Sequence, residues 1–389
     1  MDNGFNQNKV QKREAAHEEK LPWELIEEIL SRAPPQSLVR FRTVCKRWNA
    51  LFDDKTFINN HKSTFRFILK TKSKIYSVSI DPEIVVRELT LNIPGLEYQI
   101  PPKDLVECGE FLLCSMDKAK GAAVWNPWLN QTSWIKPDHG ADKIHGIGYD
   151  SNRTSDQESH VYKTIWSSFT DWKIHDFASN TWKVVVKPES CESRKRPWLH
   201  STSGVALNGT LYWVAYFDNK TDPLYRLYSF EFSRERFFNI CDLPCGMNDP
   251  RDALVLRVFK GDRFSLLKQC HLTKKVEIWV TKNKISVEDR DNVVWMNLLT
   301  LSISNFPSLL PTGTYHDDQP SYFIDDKRLV VCSCDESGQA WIYVVAENKL
   351  ISKVQIDSVV DPWPLHCTYF PSLVPVPRGQ REEEEELEV

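Results

Sequence analysis

Imidazole is the side chain most often used for proton transfer near neutral pH and a common metal ligand, so His145, His175, His200 and His271 are the first places to look for chemistry. Each stands alone. No pairing with a carboxylate can be read for any of them, and a lone histidine in a strand is normally a structural residue. The chain has no Gly-x-Ser-x-Gly elbow, no Gly-x-x-x-x-Gly-Lys phosphate loop and no His-Glu-x-x-His metal helix. Gly146-Ile-Gly148 lacks the third glycine of a dinucleotide fingerprint and stands in a β context. Cys332 and Cys334 alternate along a predicted strand, which puts both on one face, and Cys241–Cys245 is the other close pair. A zinc site would want further Cys or His pairs at finger-like spacing. Catalytic residues, metal ligands and cofactor-binding residues are therefore all expected to be none, and an indirect, binding function is expected.

Bulk properties narrow the partners. A formal net charge of -4 argues against attraction of the whole chain to nucleic acid or to anionic membrane. The basic run Arg194-Lys195-Arg196 reads as a solvated loop. No apolar stretch approaches the roughly 20 residues of a membrane helix, and Met1–Lys20 lacks the apolar core of a secretory signal. The expected compartment is the cytoplasm or the nucleus. The ten cysteines are then expected to be reduced and mostly buried, and the sequons at Asn130, Asn152, Asn208 and Asn219 to be chance matches.

Two textures divide the chain. After a polar arm (residues 1–20), residues 21–61 are helical in pattern. Leu25, Ile26, Ile29, Leu30 and Ala33 recur at helical spacing behind Leu21-Pro22, and Pro34-Pro35 stops the helix. With Ser37 as N-cap, Leu38, Phe41, Cys45, Trp48 and Phe52 form one apolar stripe, ended by Asp53-Asp54. Thr56 caps a last short turn. Three short helices of about 40 residues bury little core. Leu21, Leu25, Val44 and Leu51 lie off the stripe. They are either covered by the rest of the chain or form a partner-binding face, and pattern alone leaves both open.

Residues 65–376 read as short strands between turns. Gly204–Trp213 reads as one strand, Tyr225–Phe232 as the next and Phe237–Ile240 as an aromatic-led third. Related units run over Phe111–Ile135 and Tyr162–Val186, with weaker ones over Phe264–Trp295 and Arg328–Ile356. An interval of roughly 50 residues is close to the kelch-type period, and a closed ring of such blades protects every strand edge. The expected architecture is α+β and multidomain, a three-helix module followed by a mostly-β, kelch-like β-propeller of undetermined blade number. Residues 377–389 form an acidic tail.

The helical segment resembles an F-box. It carries Leu21-Pro22 at the start, Glu28-Ile29-Leu30 on the first helix and Pro34-Pro-Gln-Ser-Leu38 at the turn. Arg40, Val44, Cys45, Lys46 and Trp48 follow on the next helix. Ala33 departs from the family, which usually has a larger aliphatic residue there. The long region is similar to the type 1 F-box associated domain of plant F-box proteins. The similarity rests on Val124-Trp-Asn-Pro-Trp128 with Trp134, Gly146-Ile-Gly-Tyr-Asp150, Tyr162-Lys163, Asp176-Phe177 with Trp182 and Leu211-Tyr-Trp213. It continues through Phe230-Glu-Phe232, Leu243-Pro244, Val276-Glu-Ile-Trp-Val280 and Tyr369-Phe-Pro-Ser-Leu-Val374.

The resemblance implies a substrate receptor of an SCF-type cullin–RING ubiquitin ligase. The F-box would bind a Skp-family adaptor and, through it, the cullin and RING proteins. The β domain would hold an unknown protein substrate. The implied adaptor face is Leu21, Pro22, Leu25, Ile29, Leu30, Leu38, Val44, Cys45 and Trp48. A non-degradative receptor and a carbohydrate-binding propeller are the alternatives. Candidate recognition loops are 187–199, 218–223 and 315–320, with the substrate-binding residues themselves unknown.

Overall fold

The computed structural model describes residues 21–377 except 93–101, 117–120, 137, 139–142, 151–159, 169–170, 186–197, 201–203, 217–223, 247, 250, 286–292, 305, 311–318, 326–327 and 360. The N-terminal arm, the acidic tail from 378, Arg194-Lys195-Arg196, the sequons at Asn152 and Asn219 and most of the three candidate loops lie outside the described residues. The chain divides into two compact units, Met1–Ser63 and Thr64–Val389.

Among its described residues the first unit holds four helices, α1 (Trp23–Leu30), α2 (Pro35–Phe41), α3 (Lys46–Asp53) and α4 (Lys55–Asn60). The stripe expected to be one helix is broken before Lys46, because Cys45 is fully extended (φ -162°, ψ 161°) and restarts the chain as the N-cap of α3. Pro34-Pro35 both stops and starts. Pro35 occupies the first turn of α2, where its missing N–H costs nothing, so Ser37 is not the cap. Asp54 rather than Thr56 caps α4, its carboxylate accepting the Thr56 N–H at 2.7 Å. A file of aromatic rings ties α2, α3 and α4 together. Phe41 meets Trp48 at 5.7 Å, Trp48 meets Phe52 at 6.4 Å, and Phe52 meets Phe57 at 5.8 Å.

The regular elements among the described residues of the second unit are all β strands. Its six sheets are six blades. The first contains β1 (Phe67–Lys70), β2 (Ile75–Ser79) and β3 (Val85–Leu89). The second is β4 (Asp104–Cys108), β5 (Phe111–Ser115), β6 (Ala122–Asn126) and β7 (Gln131–Ile135). The third is β8 (Lys143–Tyr149), β9 (Tyr162–Ser167), β10 (Trp172–Asp176) and β11 (Thr181–Val184). The fourth pairs β12 (Trp198–Leu199) and β13 (Val205–Leu207) with β14 (Thr210–Tyr216), followed by β15 (Tyr225–Glu231) and β16 (Arg236–Asp242). The fifth is β17 (Ala253–Phe259), β18 (Arg263–Gln269), β19 (Val276–Thr281) and β20 (Trp295–Leu301). The sixth is β21 (Ser321–Asp325), β22 (Arg328–Cys334), β23 (Ala340–Ala346) and β24 (Lys349–Gln355). The last strand, β25 (Leu365–Thr368), returns to the first blade and pairs antiparallel with β1, Phe67 opposite Thr368.

The ring closes on itself. β25 touches β4, β4 touches β8, β8 touches β13, β13 touches β17, β17 touches β21, and β21 touches β25. These six strands form the inner wall. Apolar clusters fill the wedges between neighbouring blades. Val124, Ile147, Ile165 and Trp213 join the second, third and fourth blades, and Leu227, Leu254 and Phe264 join the fourth and fifth. The middle strands of the blades, such as β5 and β6, are buried on both faces and strongly apolar, whereas outer strands such as β20 and β24 keep exposed positions.

The segment expected as a single strand, Gly204–Trp213, is a hairpin. Asn208 (φ 51°) and Gly209 (φ 78°) turn it, and this Asn-Gly pair is the favoured primed-turn dipeptide. A Cβ on Gly209 would also lie 2.6 Å from the Tyr149 carbonyl oxygen, so the position accepts only glycine.

Candidate functional site

α1 is apolar on two sides. Ile26 and Leu30 point one way, and Leu25 and Ile29, four residues apart, point the other. Only the first pair is withdrawn from solvent. Among the described residues of the helical unit, Leu21 (56%), Leu25 (50%), Ile29 (58%) and Val44 (59%) are the large aliphatic residues left exposed, and Pro22 and Cys45 are exposed with them. The Arg47 guanidinium lies 3.6 Å from the centre of the Trp23 ring, which sets the start of α3 beside the start of α1. Trp48 is half-buried and belongs to the aromatic file as much as to the surface.

Leu30 and Leu38 stand apart from the other residues of the expected face. Leu30 is 3% and Leu38 0% exposed, so neither is available at the surface of this chain. Spacing could not separate them from Leu25 and Ile29, because α1 offers an aliphatic pair on each side. The same logic missed the Trp23–Arg47 contact, whose only sequence sign is an aromatic and a cation in separate helices.

Below this face a histidine locks the module. His61 Nε2 meets the Ala33 carbonyl at 2.9 Å, and Nδ1 accepts the Ser63 N–H at 3.2 Å. Burial lowers the His61 pKa against the opposing effect of the Ala33 and Leu30 carbonyls.

In the propeller, three of the histidines singled out by the sequence have polar or aromatic neighbours. His145 bonds the Ser167 hydroxyl at 2.8 Å and packs on Trp172, and His175 bonds the Asn180 side chain at 3.0 Å. His200 is buried edge-on to Tyr225. His271 is different: its Nδ1 lies 2.9 Å from the Asp252 carboxylate, a pairing across 19 residues that spacing did not reveal. Cys332 and Cys334 share β22 and are buried, and burial drives the Cys332 thiol far above its usual value.

The axis of the ring carries its own charge pair. Arg257 on β17 reaches Glu107 on β4 at 2.9 Å, and Thr368 on β25 donates to the same carboxylate. β4 and β17 stand three places apart in the ring of six, so the pair crosses the centre.

Comparison with known proteins covers both units. The family model described as "F-box domain" matches residues 19–60, and the one described as "F-box associated beta propeller domain" matches residues 66–376. An F-box protein of Arabidopsis thaliana, At2g14710, is 57% identical over 378 residues, covering 96% of this chain and all of the relative. The Arabidopsis thaliana F-box/kelch-repeat protein At3g16580 is 56% identical over 397 residues, covering 96% of this chain and 100% of the relative. Likeness to solved structures is remote: a chain of the nidogen/laminin complex gives a TM-score of 0.44 at 10% identity, over 79% of this chain and 100% of that one.

Proposed function

Because the chain belongs to the F-box proteins that carry an F-box associated β-propeller domain, we propose that it is the substrate-recognition subunit of an SCF-type cullin–RING ubiquitin ligase. The helical unit docks a Skp-family adaptor through Leu21, Pro22, Leu25, Ile29, Val44 and Cys45, with Trp48 supporting them from behind. The propeller holds the protein to be ubiquitinated. The observation that carries this reading is the set of four large aliphatic side chains, each half-exposed or more, on a module too small to leave them idle.

An interface of the usual size buries about 1,600 Å² in total, and a few apolar anchors of roughly 2 kcal/mol each dominate it. Leu25 and Ile29 are the natural anchors, one above the other on α1. The contribution to ubiquitin transfer is positional. Tethering a target beside a charged conjugating enzyme raises the local concentration of its lysines without any bond being made by this chain. The compartment is the cytoplasm, the nucleus or both.

Deleting residues 21–61 tests the reading in cells. The bound proteins should remain bound to the propeller and lose their adaptor-dependent turnover. Turnover that continues unchanged would refute the receptor role.

A further inference from the structure

Among the described residues, one group of three side chains brings metal-type ligand atoms together: the Asp252 carboxylate, the Cys270 thiol and the His271 imidazole, all within 4.8 Å of one another. Asp252 immediately precedes inner strand β17, and Cys270 and His271 open the turn between β18 and β19. The turn is fixed by its own backbone, with the Cys270 N–H on the Lys275 carbonyl at 3.0 Å and the Lys274 N–H on the Cys270 carbonyl at 2.9 Å.

The carboxylate is buried and its two oxygens are divided. Oδ1 accepts the His271 backbone N–H at 2.9 Å and faces His271 Nδ1 at the same distance, while Oδ2 faces the Lys268 ammonium at 3.6 Å. The second ring nitrogen, His271 Nε2, is buried without a hydrogen-bond partner, so the imidazole has bonding capacity that the protein does not use.

We propose that Asp252, Cys270 and His271 form a binding site for a divalent transition-metal ion of the zinc class. Around a tetrahedral ion with bonds of about 2.0–2.3 Å, ligand atoms stand roughly 3.3–3.8 Å apart, so even the widest separation within the group needs to close by only about 1 Å. The donor set selects the ion class. A thiolate and an imidazole favour zinc-like ions over magnesium or calcium, which prefer all-oxygen shells. Lys268 stays on Oδ2, Oδ1 keeps the His271 backbone N–H and exchanges its contact with the His271 ring for the ion, and on binding the thiol proton passes to solvent. Asp249 lies 3.9 Å from His271 Nδ1 but is committed to Arg251 through two bonds of 2.9 Å, which leaves the fourth position to water. The ion would fasten the connection from the fourth to the fifth blade, whose Cys245 carbonyl already accepts from Lys268 at 3.2 Å, to the β18–β19 turn on one rim.

The full chain, stripped of metal by chelation, is titrated with Co²⁺ alone. The expected result is one ion per chain with thiolate-to-cobalt charge-transfer absorption, lost in Cys270→Ser with the far-ultraviolet circular dichroism unchanged. Asp252→Asn and His271→Ala should weaken binding on the order of 100-fold. Zn²⁺ should raise the melting midpoint of the wild-type chain and leave that of Cys270→Ser unmoved, a comparison that stands even if Asp252→Asn fails to fold. Absence of charge-transfer absorption at millimolar Co²⁺, or its persistence in Cys270→Ser, would overturn the proposal.

Discussion

The Tyr369 hydroxyl donates to the Asn126 side-chain oxygen at 2.9 Å, across 243 residues of sequence. Both side chains are fully buried. The same Asn126 oxygen accepts the N–H groups of Trp128 and Leu129, each at 3.1 Å, and its amide donates to the Ser372 and Val374 carbonyls. One asparagine thus shapes the turn after β6 and holds the strap that follows the closing strand. Tyr369 is also stacked on Phe65, with ring centres 5.1 Å apart, beside the start of the first blade.

Removing these bonds should show the hierarchy. Tyr369→Phe leaves the asparagine two of its acceptor bonds and should cost about 1 kcal/mol. Asn126→Ala leaves several buried backbone groups unpaired and should cost about 3–5 kcal/mol. Urea unfolding of the two variants measures the difference, and equal small effects would show that the strap is not fastened there.

The charge pair across the axis predicts a non-additive result. Glu107→Gln or Arg257→Met alone strands a buried charge and should cost about 3 kcal/mol, while the double variant should cost clearly less than the sum. A double-mutant cycle on the unfolding free energy reads this directly. Strict additivity would mean that the two groups stabilise the ring independently.

Gly148 tests the blade contact. A Cβ there would lie 2.2 Å from the Gly209 carbonyl oxygen and 2.5 Å from Phe232, where β8 meets the β13–β14 turn. Gly148→Ala should therefore destabilise the propeller by more than about 2 kcal/mol. A melting curve superimposable on the wild type would contradict this packing.

Acid should weaken the fold before its carboxylates titrate. Burial, with the nearby Arg257 charge, lowers the His366 pKa to about 4. Its folded value is below the unfolded one, so the unfolded chain binds the extra proton. Stability is then fully present above about pH 6.5 and falls as the pH drops toward 4, by on the order of 3 kcal/mol. His61 acts in the same direction in the helical unit. His366→Gln should flatten the propeller's profile between those limits in pH-dependent unfolding, and an unchanged profile would assign the loss to other groups.

The sequence showed the fold type because apolar residues recur at the right periods: α1 is marked by Leu25 to Leu30, and the blades by motifs such as Val124-Trp-Asn-Pro-Trp128. It hid the first blade, whose strands β25 and β1 lie at opposite ends of the chain, and so it hid the blade number. Asn208-Gly209 carried a hairpin signal inside what reads as one continuous strand. The division of the adaptor face was hidden for a different reason. Leu30 and Ile29 have the same chemistry, and only the packing of α1 decides which one meets water. Asp252 and His271 are brought together by strand pairing, which leaves no mark at their separation of 19 residues.

The central claim is that the exposed aliphatic face of the helical unit docks a Skp-family adaptor. Leu38→Asp would not test it cleanly, because Leu38 is buried and the variant would disrupt the module itself. Leu25→Asp keeps the interior intact. The full chain and this variant are each co-expressed with a Skp-family adaptor and resolved by size-exclusion chromatography. A one-to-one complex with the wild-type chain, lost in a Leu25→Asp protein of unchanged circular dichroism, is the predicted result. A complex that survives the substitution would contradict the assigned face, and no complex with well-folded wild-type protein would contradict the ligase-receptor account itself.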